Sequence, residues 1–363
     1  MRVALDSFLK EVCEKTTENN QFPVLTSSKA GLFLQSDYFN KQVASTNNTG
    51  YKIIRRGQFT YRAMSDTGEF FPNMLECTDI GIVSPAYPVF EITKENDVLP
   101  EYLKYYFKSD SFQYSIASFA QGSTRASVKF SKLKTVSIDL PCADKQREIV
   151  DILNRSKALI SAREKELRSL DELIKARFVE MFGNPVLNEK GWEQKALGEI
   201  TTKIGSGATP KGGKEAYQEE GITLIRSMNV HNGQFEYKDL AHISDEQAAK
   251  LDNVSIEEND VLLNITGASV ARSCVVPAEV LPARVNQHVC IIRCNECIIP
   301  EFLNTVLIDD NYQDLLWSIA GSGATREAIT KQQVENLQII LPSIELQNEF
   351  MMFVKQLDKS KFA

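Results

Sequence analysis

Along 144–182, apolar residues recur at steps of mostly three and four: Ile149, Ile152, Leu153, Leu159, Ile160, Leu167, Leu170, Ile174, Phe178 and Met181. Ser156 and Arg163 fall on the same stripe, charged residues fill the outward positions, and the stretch holds neither Gly nor Pro. This is the seam of a coiled coil on one long helix. It opens after Leu140-Pro141 and is stopped by Gly183-Asn184-Pro185. At 1.5 Å per residue it spans roughly 58 Å. The step of four from Ile174 to Phe178 departs from the heptad and would unwind a supercoil locally. Such a helix cannot bury its seam alone. A second stretch, 344–359, carries Leu346, Phe350, Phe353, Val354 and Leu357 at helical spacing and is the natural partner, though only about four turns long. Running back along the seam, it would cover 167–182 and leave 149–160 bare.

The pattern before the first helix returns before the second. Pro100-Glu101-Tyr102-Leu103 recurs as Pro300-Glu301-Phe302-Leu303. Each opens an amphipathic stretch, expected as one helix to about Phe119 and Ile319. Each runs into a Gly/Ser/Thr turn ending in Arg: Gln121-Gly122-Ser123-Thr124-Arg125 and Gly321-Ser322-Gly323-Ala324-Thr325-Arg326. A short polar helix follows, then a strand closed by Pro141 or Pro342, then a helix with Gln146 or Gln347 at matching places. Upstream, Val89-Phe90-Glu91-Ile92 matches Val289-Cys290-Ile291-Ile292, and Ala4-Leu5 resembles Ala196-Leu197. The chain is therefore module, helix, module, helix. Strands are expected at 58–64, 80–83 and 89–93 in the first module and at 222–226, 261–266, 274–276 and 288–293 in the second. Ser244-Asp245-Glu246-Gln247 has a capping-box pattern, predicting a helix over 245–251. The mixture is α+β, not the regular alternation of a doubly wound sheet.

Composition narrows the class. At 363 residues two domains are expected. No apolar run approaches the ~20 residues of a membrane span, and the N-terminus turns polar too soon for a signal peptide. Seven cysteines, an odd number, point to reduced thiols in the cytoplasm. The net charge of −7 means that any nucleic-acid surface must be locally basic or completed by a partner.

Catalytic equipment is not evident. The loop Gly205-Ser206-Gly207-Ala208-Thr209-Pro210-Lys211-Gly212-Gly213-Lys214 fails as a phosphate loop, because Gly213 stands where Lys is needed and Glu215 follows Lys214. It suits close approach to a DNA backbone, or a plain surface turn. His288, Cys290, Cys294 and Cys297 have metal-like spacing but crowd into one segment, whereas zinc ligands usually come as two separated pairs; buried free thiols are the simpler expectation. Asn184-Pro185 lacks the second Pro and the aromatic of a base-holding methyltransferase loop. His231 and His242 have no evident nucleophile or carboxylate partner. The basic residues are more suggestive: Arg55, Arg56 and Arg62 around one strand, Arg226, Arg272 and Arg284 near strand ends, Arg125 and Arg326 in the repeated turns, with Lys203, Thr209, Lys211, Lys214 and Asn286 nearby. Arg suits guanine edges and phosphates, and Asn suits adenine. Solvated surface charge is the plainer alternative for any one of them.

Taken together, the doubled Gly-Ser-Thr-Arg (122–125) and Gly-Ala-Thr-Arg (323–326), each followed by a Leu-Pro-closed strand and a Gln-led helix, the loop Gly207-Ala208-Thr209-Pro210, and the helix end Arg177-Phe178-Val179-Glu180-Met181-Phe182-Gly183-Asn184-Pro185 resemble the specificity subunit of a type I DNA restriction–modification system. The resemblance covers essentially the whole chain. It implies two target-recognition domains, 1–142 and 185–342, a central coiled-coil helix at 143–184 and a distal helix at 343–363, related by a pseudo-two-fold repeat. It implies that each domain reads one half of a split, asymmetric duplex target and that the paired helices fix the unread gap. Two methyltransferase subunits would dock and carry S-adenosylmethionine for adenine N6 methylation, flipping the base themselves. Restriction subunits using ATP and Mg would join them in defence against foreign DNA. No cofactor is expected in this chain, and no catalysis. Ile149, Ile152, Leu159, Leu167, Leu170, Ile174, Phe178, Phe350, Phe353 and Leu357 would serve helix pairing and docking. The distal helix is shorter than the family's, so a second copy or a partner's helix could cover the bare half. The rival expectation is a non-catalytic protein-interaction adaptor built from the same two modules. An enzyme with a fused recognition half is the third, and the missing cofactor loop speaks against it.

Overall fold

The computed structural model describes residues 2–38, 47–119, 126–209, 213–321 and 327–361, without the side chains of Lys214 and Ala216. The chain forms two compact units, Met1–Ala162 and Arg163–Ala363.

Each unit is built on the same frame. A strand at its start, Arg2–Ala4 or Gln194–Ala196, pairs antiparallel with the strand that ends the repeat, Ser137–Asp139 or Gln338–Ile340. A four-stranded antiparallel sheet follows. Its spatial order is Leu9–Val12, Val89–Ile92, Phe59–Thr60, Asn73–Met74 in the first unit. In the second it is Thr201–Ser206, Val289–Cys294, Val261–Asn264, Ser273–Val275. Both sheets are mixed with helices, the α+β arrangement expected from the pattern.

Around that frame the units differ. The first adds a hairpin, Leu25–Ser27 with Leu32–Leu34, and the pair Lys52–Arg55 with Ile80–Val83. The second adds a three-stranded mixed sheet, Ala241–Ile243, Ile222–Ile225, Ala283–Val285, with the last two parallel. That sheet closes a core of its own around Leu224, Ile243, Val254, Ile291 and Val285. The expected strand at 58–64 is interrupted: Phe59–Thr60 stays in the sheet and Met64–Ser65 pairs instead with Ala126–Ser127.

The amphipathic stretches 100–119 and 300–319 are not single helices. Each breaks in two: Pro100–Tyr106 and Asp110–Ala117, then Pro300–Ile308 and Asp310–Gly321. The physical reason is a cap inside each stretch. Phe112 N donates to Ser109 Oγ at 3.3 Å, and Asn311 N donates to Asp309 Oδ1 at 3.0 Å, ending one helix and starting the next. Gln113 and Gln313 then seal the break, each donating its amide to the carbonyl that the first helix leaves open, Phe107 O at 2.9 Å and Leu307 O at 2.6 Å. The helix predicted at 245–251 is Asp245–Ala249, with the Ser244/Gln247 capping box in place.

A second glutamine pair locks the long helices. Gln146 is fully buried, accepts from Leu99 N at 2.9 Å, and donates to Asp97 O and Pro141 O at 2.8 and 2.9 Å. Gln347, equally buried, accepts from Ile299 N at 2.9 Å and donates to Cys297 O and Pro342 O at 3.1 and 2.9 Å. One side chain thus satisfies three backbone groups at the start of each helix.

The central helix runs without interruption over Ala143–Phe182. Gly183, at φ +76°, ends it in the left-handed conformation typical of a helix stop. Lys190 Nζ and Trp192 Nε1 donate to the last open carbonyls. In the first unit Ile149 and Val150 pack partly against the core, and then all ten residues 151–160 are exposed. Ile152, Leu153, Leu159 and Ile160 stand 54, 37, 71 and 61% exposed. In the second unit the distal helix, Ile344–Lys361, runs antiparallel to the other half. Phe178 and Phe182 stack with Phe302 and Phe350, with ring centroids 5.0–6.4 Å apart. Leu167, Leu170, Phe353 and Leu357 are half-buried, as is Ile174, which packs against that core. Arg177 bridges to Glu349 at 3.1 Å, and Arg163 donates to Lys361 O at 2.8 Å.

Candidate nucleic-acid interface

In both units the polar side chains gather where the two middle strands of the four-stranded sheet end. In the second unit the described part of the Gly-Ala-Thr-Pro loop, Gly207-Ala208-Thr209, packs there. Gly207 N donates to Asn286 O at 3.1 Å, and a Cβ at Gly207 would lie 1.7 Å from Val285 O, so only glycine fits. This seats Thr209 against the segment Asn286-Gln287-His288. The Thr209 hydroxyl donates to Gln287 Oε1, and Gln287 Nε2 lies 3.0 Å from His288 Nε2. His288 Nδ1 faces the Thr266 hydroxyl on the neighbouring strand end. The amide nitrogen can only donate, so His288 Nε2 accepts and Nδ1 carries the proton toward Thr266. A one-way chain, Thr209 to Gln287 to His288 to Thr266, results. Asn286 is buried and accepts from His288 N at 3.0 Å, which fixes the turn rather than facing solvent.

The expected basic residues divide by what they touch. Arg284 sits 13% exposed, donating to Ala248 O and Ala283 O and pairing with Asp252 at 2.9 Å, so it braces its own unit. Lys203 donates to Ser255 O at 3.2 Å, and burial, then the nearby Arg293, hold its pKa below the usual lysine range. Arg226 lies over the Tyr217 ring and donates to Asp239 O. Arg55 is held in both arms by Glu14, at 2.6 and 3.1 Å, which raises its pKa. Arg56 pairs with Asp79 at 2.7 Å and donates to Glu76 O. Among the described residues, the two expected cations left nearest to free are Arg62, whose one close carboxylate, Asp66, is 3.8 Å away, and Arg272, whose half-buried side chain has no partner there. Arg125, Lys211 and Arg326 lie outside the described residues, as does the side chain of Lys214.

The sequence singled out Thr209, Arg62 and Arg272, and the structure brings each to a strand end. It gave no role to Gln287, Thr266 or Tyr87, and took His288 only as a weak metal ligand. The Cys290 thiol is buried instead, and burial pushes it up to about 12. Among the described residues no three potential ligands gather for a metal. No described helix is long and apolar enough to cross a membrane.

In the first unit the corresponding edge borders a cleft of about 770 Å³, lined by Arg62, Met64, Tyr87, Tyr51, Ser27 and Lys29 among others. Burial raises the Tyr87 hydroxyl pKa, and the Arg62 charge pulls against it.

Comparison with known proteins agrees with this doubled frame. A family model described as the type I restriction modification DNA specificity domain matches twice, at residues 6–170 and 189–363. The chain is 26% identical over 287 residues to the type I restriction enzyme MjaIX specificity subunit of Methanocaldococcus jannaschii, covering 73% of this chain and 64% of that one. It is 24% identical over 286 residues to that organism's putative MjaX specificity subunit, covering 73% of this chain and 62% of that one. The chain thus spans slightly less than two thirds of these relatives. Two solved structures share the fold over 99% of this chain and 90% of theirs. One is described as the structural basis of complex assembly and conformational transition of the type I R-M system (TM-score 0.59, 19% identity), the other is the type I restriction-modification system S subunit from M. genitalium (TM-score 0.57, 15% identity). With both halves of the repeat matched and the strand-end frame duplicated, the chain belongs to the type I restriction modification DNA specificity domain family.

Proposed function

We propose that this chain is the sequence-specificity subunit of a type I restriction–modification complex, each unit reading one half of a bipartite, asymmetric duplex target in the cytoplasm. The observation that carries this is the pairing of constancy with divergence. The glutamine locks, sheet order and helix breaks repeat from unit to unit, while the side chains at the strand ends do not. A constant scaffold with divergent exposed polar groups is what two different base sequences require. The net charge of −7, with Arg55, Arg56 and Arg284 already paired within the chain, fits a complex in which partner subunits share the phosphate contacts. Those partners would be two methyltransferase subunits holding S-adenosylmethionine for adenine N6 methylation, and restriction subunits using ATP and Mg. This chain would supply address, not chemistry. Long-read methylome sequencing of cells with and without this chain tests the proposal. A bipartite N6-methyladenine motif should vanish on deletion; an unchanged methylome overturns it.

A further inference from the structure

The two units can be aligned by strand pairing alone. Val89 pairs with Thr60 and Phe90 with Phe59; Val289 pairs with Asn264 and Cys290 with Leu263. Two residues beyond the inner strand stand Arg62 in the first unit and Thr266 in the second. Two residues before the strand that pairs with it stand Tyr87 and Gln287. The chain returning from each repeated Gly/Ser/Thr turn lands on this same edge. Ala126 and Ser127 pair with Ser65 and Met64, and Ala328 bridges Thr266 while Gly267 N donates to Glu327 O at 3.0 Å. Three segments distant in sequence therefore converge at one register position, and at that position the two units carry unlike side chains.

We infer that this strand-end position discriminates bases in each half-site, through Gln287, oriented by Thr209 and His288, in the second unit and through Arg62 beside Tyr87 in the first; the inference rests on the function proposed above. Gln287 is exposed, and Thr209 and His288 engage one lone pair and one proton of its amide. One acceptor and one donor remain, the pair that matches N7 and N6 of adenine in the major groove. Holding the amide from both sides removes rotamer entropy before binding, so that discrimination is gained from fixed geometry. Among the described residues the Arg62 guanidinium meets one carboxylate, Asp66, at 3.8 Å, which leaves donors of the kind that match O6 and N7 of guanine. Thr209 and His288 touch the amide rather than a base, so they are positioning residues.

The test is selection from a duplex library randomised at every position, using the full chain assembled with its methyltransferase subunits. Gln287→Glu should change base preference at one position of one half-site by tenfold or more, leaving the other half-site as it was. Arg62→Gln should do the same in the opposite half-site. Thr209→Val should weaken the Gln287-dependent preference three- to tenfold without creating a new one, which loss of folding would not do. Lys250→Ala, at an exposed position just after the helix Asp245–Ala249, should leave both half-sites unchanged. Unaltered preferences in Gln287→Glu and Arg62→Gln, with the wild-type complex still selecting a bipartite sequence, overturn this assignment alone. A wild-type complex that selects no sequence overturns the proposed function instead.

Discussion

The two units share a skeleton but not a way of using the central helix. In the second, Phe178 and Phe182 are buried with Phe302 and Phe350, the half-buried Trp192 packs against them, and the helix belongs to the core. In the first, the helix touches the core through Ile149 and Val150 and then projects bare residues over 151–160. The duplicated part, the glutamine lock, is therefore what fixes helix to unit in general. The aromatic cluster is an addition confined to one side.

Five substitutions probe that contrast. Both tryptophans, Trp192 and Trp317, lie in the second unit, so their fluorescence reports its unfolding. Phe182→Ala removes the most connected ring of the cluster and should lower that unit's stability in urea by about 4 kcal/mol, whereas Ile149→Ala should leave the fluorescence transition in place. Cysteine reactivity separates the units nearly as strongly. Burial pushes Cys274, Cys290 and Cys294 up to about 12, so at pH 8 their thiolate fraction is about a thousandfold below that of an ordinary thiol and rises only as pH approaches 12. A chromogenic disulfide should therefore label Cys13, Cys77 and Cys142, all those of the first unit, but only Cys297 of the second. Labelling of all seven before unfolding would contradict the packing described.

The lock should weigh equally on both sides. Gln146→Leu and Gln347→Leu each strand one N–H and two carbonyls, at a cost of about 3 kcal/mol. Only Gln347→Leu should shift the tryptophan signal; Gln146→Leu should appear in far-UV circular dichroism. The smallest effect belongs to the bare stripe, where Leu159→Gln should change stability by less than about 0.5 kcal/mol. A larger loss in the isolated chain would mean that something covers Leu159.

How much of this the sequence disclosed follows from distance along the chain. The central helix was legible because its signals are local: no Gly or Pro inside, Gly183-Asn184-Pro185 at the end. The repeat was legible because its motifs are doubled. The breaks at Ser109 and Asp309 were hidden, because apolar periodicity continues across them and outweighs one capping residue. Arginines could be found, but not their availability. The partners of Arg55, Arg56 and Arg284 are 41, 23 and 32 positions away, so these residues looked as free as Arg62. Gln287 escaped notice for the same reason: Thr209, which donates to its amide oxygen, is 78 positions away.

The claim most exposed to refutation is that each unit reads its own half of the target. Replacing residues 1–141 with the corresponding part of another family member, and sequencing the methylome of cells carrying the chimera, measures it directly. One half of the modified motif should change while the other half is retained base for base. A motif altered in both halves, or in neither, would contradict it.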